Sequence, residues 1–166
     1  MVEETTGNGA DSAPAAGPQQ LILNAQYIKD FSFENPRAPQ SLIQPTAQPD
    51  VEINVDVKAN NLAPEVFEVV LTINATARSQ GETIFLVELA YGTVVTVKNA
   101  PAEMLAGLLL VETPRLVFPF ARAIIGNATR DGGFPPLLIN PIDFADLLRR
   151  QQADAQAAGA EGRVIT

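Results

Sequence analysis

The sequence predicts an α+β fold, a four-stranded antiparallel sheet with helices packed on one face. In the first half of the chain, apolar residues occupy every second position, which is the period of a half-buried strand. Beyond Pro101, apolar residues recur every three or four positions, which is the period of a helix with one buried stripe. A length of 166 residues suits one domain. We place this domain at residues 20–152.

Both ends of the chain are predicted to lie outside the packed domain. Residues 1–19 are rich in Gly, Ala, Pro and polar side chains and bury too little apolar area to offset the entropy of ordering them. Residues 153–166 contain Gly159 and Gly162, which disfavour further helix. We therefore expect a disordered N-terminal tail and a flexible C-terminal tail.

Charge and composition exclude several classes of protein. The net charge is -8, with 19 acidic and 11 basic residues, and this balance opposes binding to the phosphates of nucleic acid. The first twenty residues carry acidic but no basic side chains, unlike a secretory signal. The most apolar run, residues 104–111, is shorter than the roughly 20 residues of a membrane-spanning helix. A cytoplasmic protein without membrane insertion is expected.

Four segments alternate apolar and polar residues and are predicted to be the strands: residues 21–34, 51–58, 67–78 and 83–91. The sequence Ser-Gln-Gly-Glu before the fourth segment suits a tight hairpin turn, so the last two strands should pair antiparallel. On the third strand, Phe67, Val69, Leu71 and Ile73 share one face. On the first, Tyr27, Phe31 and Phe33 are predicted to share one face and Asp30, Ser32 and Glu34 the other.

Helices are predicted in the second half of the chain. The first runs from Pro101 through Val111. Thr113 is expected to cap a second one, with Pro114 in its first position and Pro119 bending it. The last begins near Asn140 and Pro141, with Asp143 in its first turn and Phe144, Leu147 and Leu148 on one face.

Residues 116–125 are more apolar than one sheet requires of a helix that packs on it. Either a second copy of the chain covers the remainder, or the surface stays free to bind an apolar partner. Residues 130–141, Arg-Asp-Gly-Gly-Phe-Pro-Pro-Leu-Leu-Ile-Asn-Pro, form an apolar loop that is either buried filler or a flap over a groove. Leu86, on an otherwise polar strand face, also suggests a partner.

No catalytic constellation is recognisable. The chain has neither histidine nor cysteine, so the usual nucleophilic triads and most zinc sites lack an essential member. No phosphate-binding Gly-rich motif follows a predicted strand. We therefore expect no enzyme activity, no cofactor and no metal site.

Five stretches, taken together and in this order, resemble the SecB family of protein-export chaperones: YIKDFSFENPRAP, EVVLTINATA, ETIFLVELAYG, TPRLVFPFARAII and GGFPPLLINPIDF. The resemblance runs from about Leu21 to Gln151. Its most specific parts are residues 29–36 and residues 114–122.

This resemblance implies an assembly and a function. It implies dimers whose sheets join edge to edge, and a homotetramer of two dimers packed through the long helices, with Val87, Leu89 and Tyr91 at the oligomer interface. It implies an ATP-independent holdase that binds unfolded preproteins in hydrophobic grooves and delivers them to the SecA translocation ATPase.

The resemblance also implies two sets of site residues. The peptide-binding groove corresponds to Val51, Ile53, Val55, Phe85, Phe118, Pro119 and Phe120. The SecA-docking surface corresponds to Asp30, Glu34, Leu86 and Glu88, which should all face outward. The family's tryptophan is replaced near Ala47, and its acidic tail by Glu-Gly-Arg-Val-Ile-Thr, residues 161–166.

Two other functions remain open from the sequence. One is a SecB-like chaperone that serves a toxin–antitoxin pair. The other is an oligomeric carrier of a small apolar ligand, whose compact pocket would saturate with one molecule.

Overall fold

The computed structural model describes residues 17–44 and 48–161. Residues 1–16 of the predicted N-terminal tail, the Ala47 position and residues 162–166 lie outside this description. The elements are β1 (Gln20–Glu34), α1 (Gln40–Ile43), β2 (Asp50–Ala63), β3 (Val66–Ser79), β4 (Glu82–Lys98), α2 (Ala102–Gly107), a π-helical turn (Leu108–Glu112), α3 (Thr113–Asp131) and α4 (Phe144–Glu161).

The predicted four-stranded antiparallel sheet is confirmed, with the strand order β1-β4-β3-β2. The hairpin between β3 and β4 turns at Gln80 and Gly81, whose φ angles of 52° and 81° are those of a tight primed turn. Two strands are longer than predicted: β2 continues to Ala63 and β4 to Lys98. The short helix α1 was not predicted.

The helices pack on one face of the sheet, which we call the inner face. Odd-numbered side chains of β3 and β4, such as Leu71, Ile73 and Leu89, are fully buried there. Val117 and Ile125 of α3 complete this core. The opposite face, here the outer face, carries the even-numbered side chains of β2, β3 and most of β4 and is not covered by a helix. The predicted alternation of buried and polar positions therefore holds along β3.

A β-bulge at Lys29 corrects the predicted faces of β1. Ile28 pairs with Tyr91 and the next paired residue is Asp30, opposite Ala90, so one residue is extra on β1. Alternation along a strand reverses across such an extra residue. Phe31 and Phe33 lie on the inner face as predicted, but Tyr27, paired with Gly92, lies on the outer face together with Asp30 and Glu34.

The helix from Ala102 to Asp131 is continuous, so the prediction that Thr113 caps a second helix is wrong. Pro114 has no N–H to donate within the helix, and the chain widens into the π-helical turn before it. The Thr113 hydroxyl donates a hydrogen bond to the Leu108 carbonyl at 2.8 Å. The 30-residue helix is long and apolar enough to span a membrane, yet its buried side chains belong to the domain core.

The last helix begins and ends later than predicted. It starts at Phe144, and Asp143 precedes it, where its carboxylate accepts a hydrogen bond from the Asp146 N–H at 2.9 Å. Asp143 is therefore a capping residue and not a member of the first turn. Helix α4 continues through Gly159 to Glu161, because its Ala- and Gln-rich sequence favours helix more than a single glycine opposes it.

Candidate functional site

A groove opens between the sheet and the segment that follows α3. It has a volume of about 490 Å³. We call it the loop groove, and its lining is mostly apolar: Gln48, Pro49, Val51, Ile84, Phe85 and Phe134–Leu138. A concave apolar surface of this size suits side chains of a bound polypeptide or a small apolar ligand.

Aromatic side chains form the inner wall of the loop groove. The Phe85 ring stacks on Phe33 with 6.0 Å between centroids, and the Phe134 ring lies 5.0 Å from the Phe85 ring, tilted by 45°. Phe85 is only 4% exposed, so its ring supports the groove more than it offers free surface. The Asn35 amide donates to the Gly132 carbonyl at 3.1 Å, which holds the end of β1 against the end of α3.

The segment from residue 132 to residue 143 has no helix or strand, as its three prolines predict. The Thr129 hydroxyl accepts a hydrogen bond from the Leu137 N–H at 2.8 Å and fixes the segment to α3. Ile139 is buried in the core, whereas Leu138 is 64% exposed at the groove. Ile139 therefore fills the core, as buried filler would, while its neighbour Leu138 forms part of the groove wall.

Two more grooves follow the exposed side of α3. The helix groove, of about 270 Å³, is lined by Arg115, Phe118, Pro119, Arg122, Pro141, Ile142 and Phe144. The bridging groove, of about 360 Å³, is lined by Pro119, Arg122, Ala123, Gly126, Asn127, Arg130, Pro136 and Leu138. The bridging groove shares Pro136 and Leu138 with the loop groove and shares Pro119 and Arg122 with the helix groove. The three grooves therefore adjoin one another in a series, which we call the track.

The residues predicted for the peptide-binding groove separate along this track. Val51 and Phe85 line the loop groove. Phe118 and Pro119 line the helix groove, where the Phe118 ring meets Phe144 edge to face at 6.1 Å. The other three line none of the three grooves: Ile53 and Val55 lie on the inner face of β2, and Phe120 is 54% exposed on α3.

Sequence reasoning missed several groove residues. The run from Pro135 to Leu138 was not assigned to the peptide-binding groove, although the apolar loop that contains it was considered as a flap over a groove. Its apolar residues without helix-forming potential were the available signal. Ile84 was missed because a bulge beside it turns an even-numbered side chain inward, where it is 4% exposed.

The outer face brings the predicted docking residues together. Leu86 lies directly opposite Glu34 on β1, Glu88 lies opposite Ser32, and Asp30 lies opposite Ala90. All four predicted residues therefore share one face, with Leu86 half-buried and the three acidic side chains exposed. Asp30 and Glu34 are four residues apart on one strand, a separation of roughly 13 Å.

The acidic surface extends across the sheet to β2. Glu52 pairs with Thr76, which itself pairs with Leu86, and Asp56 pairs with Thr72, the neighbour of Ala90. The Glu52 carboxylate thus continues the row that contains Glu34, whereas the Asp56 carboxylate accepts a hydrogen bond from Gln151 Nε2 of α4 at 2.7 Å and lies 3.5 Å from Lys58 Nζ at the sheet edge. Sequence reasoning missed them, although their even positions on β2 place them on the outer face. A surface of this sign attracts basic groups of a partner.

A hydrogen-bonded cluster lies beside this acidic surface. The Tyr27 hydroxyl donates to the Glu68 carboxylate, which also receives Lys29 Nζ at 2.7 Å. The hydrogen bond from Lys29, followed by that from Tyr27, lowers the pKa of Glu68. Hydrogen bonding to Glu68 and burial raise the pKa of Tyr27 to about 12. The cluster leaves Lys29 paired, so its charge does not offset the acidic surface.

The residues predicted for the oligomer interface lie in the core of the single chain. Val87 and Leu89 are at most 1% exposed and Tyr91 is 7% exposed, all on the inner face. The apolar side chains that a second copy could cover lie elsewhere. Four of them are about two-fifths exposed or more: Ile28 and Phe31 on β1, and Leu116 and Phe120 on α3.

These features define a class of protein. An α+β domain with adjoining apolar grooves on the helix side and an open, largely acidic sheet face has the architecture of a binding protein. Among residues 17–44 and 48–161, no group of three or more acidic side chains is arranged to hold a metal ion.

Comparisons with known proteins identify the family. Residues 14–155 match the family model described as preprotein translocase subunit SecB. The protein-export protein SecB of Bradyrhizobium sp. is 51% identical over 96% of this chain and 98% of its own length. The SecB proteins of Rhodopseudomonas palustris strain HaA2 and Rhodospirillum centenum are 50% and 45% identical over 93% and 98% of this chain, and over 98% and 99% of their own lengths. The chain belongs to the SecB family of protein-export chaperones.

A solved structure supports the fold. A SecB-like chaperone of Mycobacterium tuberculosis, in complex with a ChAD peptide from the HigA1 antitoxin, superposes with a TM-score of 0.61. The match covers 74% of this chain and 90% of the other at 12% identity, so it bears on the fold alone. The α+β architecture predicted from the sequence is confirmed.

Proposed function

We propose that this protein is an ATP-independent holdase that binds unfolded preproteins along the three connected grooves and delivers them to the SecA motor. The observation that carries the proposal is the division of the domain into two unlike surfaces. One side offers apolar concavities in series, which suits an extended chain. The other offers an acidic sheet face with a central leucine, which suits a folded basic partner.

Sequence-tolerant binding follows from the chemistry of the grooves. Apolar walls gain free energy from any apolar side chain, in proportion to the area removed from water, and read no particular sequence. Such binding requires no nucleotide. Shared lining residues let one extended segment occupy successive grooves, which favours long clients over a single small ligand. A carrier of a small apolar ligand would need only one of the grooves.

The docking partner is proposed for the outer face. Asp30, Glu34 and Glu88 surround Leu86 there, so a basic segment of SecA would meet charge at the rim and an apolar side chain at the centre. Rim charges act mainly on the association rate and its salt dependence, and an apolar centre acts on the lifetime of the complex.

Export is proposed over service to a toxin–antitoxin pair. The relatives at 45–51% identity that cover nearly the whole chain are named for protein export, whereas the SecB-like chaperone solved with an antitoxin peptide is 12% identical. We also propose a cytoplasmic homotetramer built as a dimer of dimers. The apolar side chains left exposed on β1 and α3 are the surfaces that such an assembly would cover.

The test separates the two surfaces. Glu88→Lys should weaken binding to purified SecA and flatten its dependence on salt, since it reverses a rim charge, while leaving the suppression of client aggregation unchanged. Calorimetry across a salt series measures the first activity and light scattering of a refolding preprotein the second. Equal loss of both activities would contradict the division into two surfaces.

A further inference from the structure

Arg122 is placed where two of the apolar grooves meet. It lines both the helix groove and the bridging groove, and among the described residues Pro119 alone shares this position. Its Nε atom is buried and makes no hydrogen bond to a described residue, while the side chain as a whole is half-buried. A guanidinium is always charged and can only donate hydrogen bonds. An unpaired donor of this kind is unfavourable, and the half-buried guanidinium that carries it is placed to pair with an acceptor that enters the grooves.

The two other arginines of these grooves already have partners. Arg115 Nη1 donates to the Glu112 carboxylate at 2.8 Å in the same helix. Arg130 Nε donates to Asp131 at 3.3 Å. Arg122 therefore differs from both, because it is half-buried where they are exposed and its Nε has no partner among the described residues.

An extended polypeptide needs such a donor in these grooves. Its backbone carbonyls lose water when its side chains enter apolar walls, and an unpaired buried carbonyl is unfavourable. The helix groove supplies few donors, because Pro119 and Pro141 have no N–H and the N–H groups of α3 bond within the helix. Every client residue offers a carbonyl, whereas a carboxylate occurs only at some positions. A donor to the main chain thus preserves sequence tolerance.

We propose that the Arg122 guanidinium binds backbone carbonyl groups of the client chain where it passes from the bridging groove into the helix groove. This inference rests on the proposed function, because it requires an unfolded polypeptide in the grooves. Arg122 then fixes the path of the main chain, while the apolar walls supply most of the affinity. A lysine would keep the charge but lose the planar fork that can bridge two carbonyl oxygens.

The test compares Arg122→Met, Arg122→Lys and the control Arg150→Met. Methionine removes the donors with little change in length, and Arg150 is an exposed arginine of α4 that lines none of the three grooves. Binding is measured by fluorescence anisotropy with several unfolded peptides of unrelated sequence, one rich in acidic residues and one without them. We expect Arg122→Met to weaken all of them about tenfold, the size of one net hydrogen bond to a charged group. The peptide affinity of Arg122→Lys should lie between those of Arg122→Met and the unmodified protein. The affinity of Arg150→Met should equal that of the unmodified protein.

A second arm reads the backbone directly. Replacing one amide of a bound peptide by an ester weakens its carbonyl as an acceptor. Scanning the ester along the peptide should find a position that costs affinity for the unmodified protein but not for Arg122→Met, as in a double-mutant cycle.

Three results would overturn the inference. Unchanged affinity in Arg122→Met would show that the client does not use this donor. A loss confined to acidic peptides would assign Arg122 to side-chain carboxylates. A changed assembly mass with unchanged peptide affinity would assign it to contact between copies of the chain. If the unmodified protein bound none of the unfolded peptides, the proposed function itself would fail, which is a distinct outcome.

Discussion

Glu68 and Tyr27 form a residue pair that should make stability depend on pH at both extremes. The pKa of Glu68 is below its ordinary value of 4.5, so its contribution is present above that pH and is lost as the pH falls through the folded-state value. The pKa of Tyr27 is raised from 10.0 to about 12, so its contribution is present below pH 10 and is lost as the pH rises through about 12.

We therefore expect Glu68→Gln to lower the free energy of unfolding by about 1.5 kcal/mol at pH 7, the cost of a hydrogen bond to a charged group. The difference from the unmodified protein should shrink as the pH falls below 4.5. Urea unfolding at a series of pH values measures this difference in the free energy of unfolding. A difference that stays constant down to pH 3 would show that Glu68 gains nothing from ionisation in the folded protein.

Gly92 is required at its position by close approach of the Tyr27 ring. A Cβ added at Gly92 would lie 2.4 Å from Tyr27 Cζ, which forces the ring away from Glu68. We expect Gly92→Ala to destabilise the protein by about 2 kcal/mol, as overpacking does. Gly107→Ala is the matched control, since nothing lies within 4 Å of a Cβ there and alanine favours helix by about 1 kcal/mol. Gly92→Ala should lower the melting temperature and Gly107→Ala should raise it. Shifts of the same sign in both variants would contradict this account.

The face of a side chain could be predicted from the sequence only where no bulge intervenes. Alternation along β3 correctly predicts that Leu71 and Ile73 lie in the core. Alternation along β1 correctly predicts that Asp30 and Glu34 lie on the outer face. It failed at Tyr27 because the extra residue at Lys29 reverses the parity of the residues before it, back to a second bulge at Asn24. The signal for the bulge is tertiary, because it depends on how β1 meets β4.

The segment after α3 is the element on which the grooves depend. Leu138 belongs to both the loop groove and the bridging groove and is largely exposed, so it contributes surface without supporting the core. Leu138→Ser should weaken binding of an unfolded preprotein about tenfold, as expected for losing most of a buried leucine contact, with almost unchanged stability.

Leu62→Ser supplies the control for this element. Leu62 is 55% exposed at the end of β2 and lines none of the three grooves, so its loss should leave client affinity unchanged. Affinities measured by calorimetry and melting temperatures measured in parallel distinguish the cases. Equal effects of the two substitutions would mean that general surface hydrophobicity, not the grooves, binds clients.

Element boundaries followed from the sequence only in part. The dipeptide Thr113-Pro114 is typical of a helix start, but the π-helical turn and the Thr113 hydrogen bond carry one helix through it. The family resemblance predicted groove residues on β2, β4 and α3. The structure adds the segment from Phe134 to Leu138 as a further wall. That wall depends on the Thr129 hydroxyl, whose partner Leu137 could not be inferred from spacing.

The whole molecule carries apolar surface that one chain leaves uncovered. Leu116 and Phe120 are 50% and 54% exposed on α3, and β1 is a 15-residue strand at the edge of the sheet. Long edge strands and exposed apolar stripes are sites where copies of a chain associate. The proposed tetramer would cover both features.

Assembly should therefore respond to exposed positions and not to buried ones. Leu116→Ser combined with Phe120→Ser should yield smaller species in native mass spectra while each chain stays folded by circular dichroism. Val87→Asp should instead unfold the chain, because a charge would be buried in the core at a cost of several kcal/mol. If Val87→Asp instead gave a folded dimer or monomer, Val87 would belong to the interface between copies of the chain.

The central claim is that client polypeptide and docking partner use opposite sides of the sheet. Its most direct measurement is photo-crosslinking of an unfolded preprotein to the full-length protein carrying a photoreactive residue at position 138 or at position 88. Position 138 lies in the grooves and position 88 on the outer face. Crosslinks to the preprotein from position 138, and none from position 88, are the predicted result. Crosslinks to the preprotein from position 88, at equal or greater yield, would contradict the account.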